Sequence, residues 1–226
     1  MIQAIFFDLY ETLITEWEDG KKRTSYSVDT LGLDRHTYKK EWTARRDKRM
    51  DGSYLDHRMV LKEILKAAGR LIDETIIEDI HQKRIQAKSI PFQKIDEEIL
   101  ITLQILKQRK IKLGLISNCA PEEVYSWNNC LLADIFDDVV FSYEVKQRKP
   151  QPDIYYTACG HLKVAPNECI FIGDGGSNEL QGASDVGMKA YHATWYQPPF
   201  ISEKMTGFPK LESPTQILQL IASMES

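Results

Sequence analysis

Apolar positions along the chain change rhythm twice. Ile2, Ala4, Ile5, Phe6 and Phe7 form a short, nearly continuous apolar run that stops at Asp8. A run of that length suits a strand buried on both faces of a parallel sheet. From residue 21 to 88 the period becomes helical. Leu61, Ile64, Leu65 and Ala68 share one face that ends at Gly69, and Asp73 is placed to cap a helix carrying Ile76, Ile77 and Ile80. The polar stretch 14–20 between the two regimes reads as a connecting loop. After Pro91, strands and helices alternate. Asp96 opens a helix with the stripe Ile99, Leu100, Leu103 and Leu106, and residues 111–116, 139–141, 169–172 and 189–192 read as further strands. Pro121 and Pro152 suit the first turns of two helices, Ser177 can cap another reaching Gly187, and Pro214 opens a C-terminal one. Residues 164–168 and 196–200 read as loops. The alternation predicts an α/β fold, a doubly wound parallel sheet with a Rossmann-like core built from residues 1–14 and 89–226. Residues 15–88 then form an inserted α-helical domain.

Composition narrows the function. The chain has 226 residues, enough for a packed core with an insertion, and its 42% hydrophobic and 27% charged residues are those of an ordinary globular protein. A formal charge of −4 argues against a general nucleic-acid or membrane-surface binder. No apolar run approaches the ~18 residues of a spanning helix, and the N-terminal run lacks preceding basic residues, so a cytoplasmic protein is expected. Cys119, Cys130, Cys159 and Cys169 contain no C-x-x-C pair, and no two histidines stand at ligand spacing on one helix. Zinc and dithiol chemistry are therefore not expected. There is no internal repeat, and nothing sets an oligomeric state.

Chemistry gathers at predicted strand tips. Asp8 ends the first strand, Ser117 the second and Asp174 the fourth, while Lys149 lies in the segment after the third. Open α/β sheets bind ligands at such tips. Gly175 and Gly176 let the backbone turn closely around whatever Asp174 holds. Asp8, Tyr10 and Thr12 in DLYET, Ser117 in GLISN, Lys149 in RKPQP and Asp174 in FIGDGGSNE resemble, in order, the four motifs of the haloacid dehalogenase-like (HAD) hydrolase superfamily. The motifs run from Asp8 to Glu179; residues 14–89 match only in being helical.

The resemblance implies that Asp8, on the central strand, is a carboxylate nucleophile working through a covalent intermediate. It implies that Thr12 and Ser117, with the backbone at Asn118, orient it and donate hydrogen bonds, and that Lys149 offsets charge. The inserted helices would be a cap that closes over the site. Asp8, Asp174 and Glu179 set three potential negative charges against one lysine, so an anionic phosphate calls for a magnesium ion. By resemblance its ligands are Asp8, the main-chain carbonyl of Tyr10 and Asp174, with Asn178 and Glu179 behind them.

Tyr10 departs from the phosphatase pattern, which has an acidic residue there as proton donor, and matches the 2-haloacid dehalogenases. Asp174 points the other way, because a metal-free dehalogenase gains nothing from another carboxylate near an anionic substrate. The reading favoured is a magnesium-dependent phosphatase acting on a small phosphorylated metabolite through an aspartyl-phosphate. A 2-haloacid dehalogenase-type hydrolase and a weakly active binding protein retaining the fold are the alternatives. The basic stretch 35–49 reads mostly as a solvated helix face. Some dehalogenases hold the substrate carboxylate with a cap arginine near a tryptophan. Arg45 and Arg46 follow Trp42 by three and four residues and are the candidates, with Arg49 close behind. The partner expected is a small anionic molecule.

Overall fold

The computed structural model describes residues 2–225. The chain begins with β1 (Ala4–Phe7) and an antiparallel pair, β2 (Trp17–Glu18) and β3 (Lys21–Lys22). Four helices follow, α1 (Arg35–Ala44), α2 (Arg46–Met50), α3 (His57–Ala67) and α4 (Glu74–Ser89). The remainder alternates: α5 (Glu97–Gln108), β4 (Lys112–Ser117), β5 (Asp138–Phe141), α6 (Ser142–Val145), α7 (Pro152–Leu162), β6 (Cys169–Gly173), α8 (Glu179–Asp185), β7 (Lys189–Ala193), α9 (Pro199–Ser202), β8 (Lys210–Leu211) and α10 (Gln216–Glu225).

Six strands form one sheet in the order β5-β4-β1-β6-β7-β8, and every neighbouring pair is parallel. From β1 the chain adds β4 and β5 on one side, then returns to add β6, β7 and β8 on the other. The switch falls at β1, and the crevice it opens lies beyond the C-terminal ends of β4, β1 and β6. Alternation along β1 builds both layers. Ile5 and Phe7 pack with Leu113, Leu115, Ile170 and Ile172 under α5 and α10, while Ala4 and Phe6 face Ile154, Ala158 and Leu180 of α7 and α8. All four residues of β1 are buried, as the uninterrupted apolar run requires.

The helices before α5 have small cores of their own. Leu31, Leu61, Leu65, Ile77 and Ile80 form one cluster, and Tyr54, Val60 and Ile64 another. Their starts are fixed by aspartates whose side chains accept backbone N–H groups: Asp34 for α1, Asp56 for α3 and Asp73 for α4. No helix among the described residues is long and apolar enough to cross a membrane.

Three expectations are corrected, and one strand is added. Residues 17–22 are a hairpin, because Asp19 and Gly20 both take left-handed conformations (φ 50° and 72°) that close a two-residue turn. Pro121 opens only a 3-10 turn, Pro121–Glu123, tied off by the Glu123 carboxylate accepting the Ala120 N–H at 2.9 Å. Ser177 caps nothing: Ser177 and Asn178 are both left-handed (φ 55° and 59°), and α8 begins only at Glu179. The two-residue strand β8 is too short to leave a periodicity.

Candidate active site

Asp8 directly follows β1, and its N–H continues the ladder to Ile172 at 2.9 Å, so the carboxyl stands at the sheet's C-terminal edge. It is 8% exposed. Lys149, 1% exposed, sits with Nζ 2.5 Å from Asp8 Oδ1 and 2.5 Å from Glu179 Oε2. The lysine is held by its own backbone. Asn118 Nδ2 donates to the Lys149 carbonyl and Asn118 Oδ1 accepts the Lys149 N–H, both at 2.8 Å, just before a cis bond to Pro150. The Asn118 side chain is thus a clamp on Lys149.

The fourth-motif loop wraps around Glu179. Its Oε1 accepts the Gly175 N–H at 3.0 Å, and its main-chain carbonyl accepts the Tyr155 hydroxyl at 2.7 Å. A Cβ at position 173 would run into the Glu179 carboxylate, which is why β6 ends in glycine. Gly175 is left-handed (φ 88°), turning the chain so that the Gly176 N–H reaches Asp174 Oδ1 at 2.8 Å. One carboxylate oxygen from each of Asp8, Asp174 and Glu179 lies within 4.8 Å of the others.

The electrostatics of this cluster are unbalanced. Burial raises the Asp8 pKa above the usual carboxylate value; the Lys149 charge counters this only in part, and Asp174 adds to it. Glu179 is pushed well above its ordinary range by burial and by the charge of Asp8. Burial alone would lower Lys149, but Asp8 and Glu179 outweigh it and keep the ammonium. With all three carboxylates ionised, one ammonium leaves two negative charges uncompensated. An oxygen-ligated divalent cation would supply that deficit.

Thr12 is fully buried, and its hydroxyl has no partner among the described residues. Its carbonyl accepts the Trp195 indole N–H at 2.8 Å. Ser117 ends β4 and is also buried. Tyr10 turns its phenol toward the segment that follows β4. Its hydroxyl donates to the Glu123 carbonyl at 2.5 Å, its ring packs edge-on against Phe92, and Lys88 Nζ lies 4.9 Å from the ring centre. Burial, then the carboxylates of Glu123 and Glu16, raise the phenol well above 10, so it stays protonated at neutral pH.

The three arginines separate. Arg45 is spent on Glu41, donating to its carbonyl at 2.9 Å and its carboxylate at 2.5 Å. Arg46 reaches the fourth-motif loop, Nη2 to Ser177 Oγ at 3.2 Å. Arg49, 7% exposed, stacks its guanidinium 3.8 Å from the Trp42 ring centre. The helix is interrupted at Arg45 (φ −101°, ψ 11°), which re-aims the side chains beyond it and overturns the expectation that Arg45 or Arg46 joins Trp42.

Sequence reasoning missed a buried ionic network beside the first motif. Arg84 bonds Glu122 and Glu123, each at 2.7 Å, and Lys88 bonds Glu16 at 2.5 Å. On a helical wheel Arg84 and Lys88 are indistinguishable from surface charges. Gln197, whose amide contacts Asp174, lies in a stretch read only as loop.

A family model described as haloacid dehalogenase-like hydrolase matches residues 2–187. N-acylneuraminate-9-phosphatase of Rattus norvegicus is 28% identical over 142 residues, 58% of this chain and 52% of that protein, so the chain spans about half the length of that relative. Glyceraldehyde 3-phosphate phosphatase of Methanopyrus kandleri is 24% identical over 199 residues, 83% of this chain and 82% of that protein. The crystal structure of a 2-haloacid dehalogenase from Pseudomonas syringae pv. Tomato DC3000 superposes with a TM-score of 0.71 at 21% identity, covering 99% of this chain and 100% of that one. At such identity the likeness is one of fold.

Proposed function

The chain belongs to the haloacid dehalogenase-like hydrolase family, and from that premise we propose that it is a magnesium-dependent phosphatase of a small phosphorylated metabolite. The observation that carries this reading is the surplus of carboxylate at the sheet edge, Asp8, Asp174 and Glu179 around the single ammonium of Lys149. A metal-free displacement on an anionic substrate would be opposed by that surplus. Phosphatases among the relatives support the same side.

Asp8 attacks phosphorus with Oδ2, the oxygen that Lys149 does not hold. The new O–P bond forms as the ester P–O bond breaks, and the leaving group departs as its oxyanion and takes its proton from water. Water then attacks phosphorus as the Asp8 O–P bond breaks, its proton passing to the departing phosphate or to solvent, so that inorganic phosphate is released and the Asp8 carboxylate is regenerated. Lys149 fixes Asp8 and offsets its charge, while the hydroxyls of Thr12 and Ser117 donate to phosphoryl oxygens. Asp8, the Tyr10 carbonyl and Asp174 are the residues to hold magnesium, with Asn178 and Glu179 behind them. When bound, the ion neutralises charge and polarises the phosphoryl group. The phenol of Tyr10, committed to the Glu123 carbonyl, takes no part in proton transfer.

Residues 15–88 are read as a cap domain over a core of residues 1–14 and 89–226. Arg46, at the mouth beside Ser177, is its contact for an anionic substrate; Arg45 is not. A panel of phosphate esters assayed for phosphate release with magnesium and with EDTA tests the proposal, beside halide release from 2-chloropropionate. Phosphate release that EDTA abolishes is expected. Halide release without metal would make the chain a dehalogenase, and binding of phosphate without turnover would make it a binding protein.

A further inference from the structure

The connection between β7 and β8 meets the motif residues at three points. Trp195 donates to the Thr12 carbonyl at 2.8 Å. Gln197 Nε2 lies 2.7 Å from the main-chain oxygen of Asp174 and 3.4 Å from its Oδ2. The Met205 thioether fills the space that a side chain at position 175 would need. None of these residues belongs to a motif.

Behind Gln197 stands His192, at the tip of β7 and opposite Gly173 in the sheet register. It is 1% exposed, and its Nε2 lies 3.0 Å from Gln197 Oε1. The direction of each hydrogen bond follows from the acceptor at the far end. A main-chain carbonyl can only accept, so the Gln197 nitrogen must face Asp174. The Gln197 oxygen therefore faces His192, and Nε2 must carry the donated proton. The relay has one polarity, from His192 through Gln197 to Asp174.

We infer that Gln197 is a positioning residue that holds the Asp174 carboxylate ready for a divalent cation, and that His192 holds Gln197. The inference rests on the reading of Asp174 as a magnesium ligand. Asp174 Oδ1 is fixed by the Gly176 N–H on one side, and the Gln197 amide faces Oδ2 on the other. A carboxylate held at both oxygens loses less rotational freedom on binding. Removing a partner that orients a metal ligand typically weakens metal affinity ~10–100-fold.

Isothermal titration of the full chain with magnesium chloride tests this. Gln197→Met keeps the side-chain length and removes the donor. It should weaken magnesium binding about 10-fold or more, and in turnover should raise the half-saturating magnesium concentration more than it lowers kcat. His192→Met should act in the same direction, while His192→Gln, which replaces the Nε2 donor with an amide, should restore affinity. If Gln197→Met does not fold, Gln197→Ala and the His192 pair carry the same measurement. A folded Gln197 variant with wild-type magnesium affinity overturns the inference. The reading of the site fails separately, if the wild type takes up no magnesium or Asp174→Asn binds it unchanged.

Discussion

Asp8 has the Lys149 ammonium on one oxygen and two further carboxylates close by, an arrangement that suits the proposed attack on an electrophile once the negative charge is balanced. Asp8→Asn keeps the shape and loses the nucleophile, so turnover should vanish while the thermal unfolding curve survives. A variant that retains more than a few per cent of activity, with deamidation excluded by mass spectrometry, removes Asp8 from the role. Tyr10 carries a sharper consequence. With its proton directed to the Glu123 carbonyl, it leaves no acid at the position where related phosphatases place one. Neighbouring Glu11 does not replace it, because its carboxylate accepts the Thr15 hydroxyl at 2.6 Å and the Glu16 N–H at 2.9 Å. The rate should then depend steeply on leaving-group stability, with p-nitrophenyl phosphate cleaved far faster than a sugar phosphate. General acid catalysis contributes ~10²–10⁴-fold, so Tyr10→Asp should accelerate the sugar phosphate most. Equal acceleration of both substrates would place the acid elsewhere.

Helix α4 and the turn at Pro121–Glu123 are joined by charges that water scarcely reaches. Arg84 is 4% exposed, Glu122 3% and Glu123 9%. A buried pair that loses one partner leaves the other desolvated and unpaired, at a cost of about 3–5 kcal/mol. Arg84→Met should therefore destabilise the fold by roughly that amount in urea titration, although the substitution is at a helical position where propensity barely changes. The network also gives the protein an acid limit. Burial would raise Glu123, but Lys88 and Arg84 prevail and hold it down at about 2 against an ordinary 4.5. A depressed folded value means that the stabilisation is complete above about pH 4.5 and drains away as pH falls from there toward 2. Glu123→Gln should flatten the fall in melting temperature across that window; an unchanged slope would show that other carboxylates set it.

Helix α2 touches the core on either side of the crevice, through Arg46 to Ser177 at 3.2 Å and through Asp47 to Arg148 at 2.9 Å. Both contacts are solvent-exposed, the first a hydrogen bond to a neutral hydroxyl and the second an ion pair, and exposed ion pairs contribute only about 0–1 kcal/mol. Such fastenings suit the proposed reading of residues 15–88 as a cap, which would have to open for substrate. Arg46→Ala should raise KM for an anionic substrate more than it lowers kcat, with little change in melting temperature. A lower melting temperature with an unaltered KM would make Arg46 a strut between the two parts and nothing more.

The order of strands and helices and the residues at the strand tips were legible in the sequence, because burial is a local constraint. A strand covered on both faces must be apolar along its length, and the first polar residue after it, Asp8 or Asp174, must lie at an edge. Even the hairpin at 17–22 had a local signal in Asp19-Gly20, since its turn needs two left-handed residues. The partners of long polar side chains had no such signal. Arg46 meets a serine 131 positions away, Arg84 a glutamate 38 positions away, and Tyr10 a carbonyl 113 positions away. Each choice depends on where several rotatable bonds can reach after the sheet has assembled and on which charge is then left without water. For that reason the sequence alone determined the architecture and the polar residues that stand at the strand tips, and only the tertiary structure decided which arginine stacks on Trp42, where the Tyr10 proton points and what holds Asp174 in place.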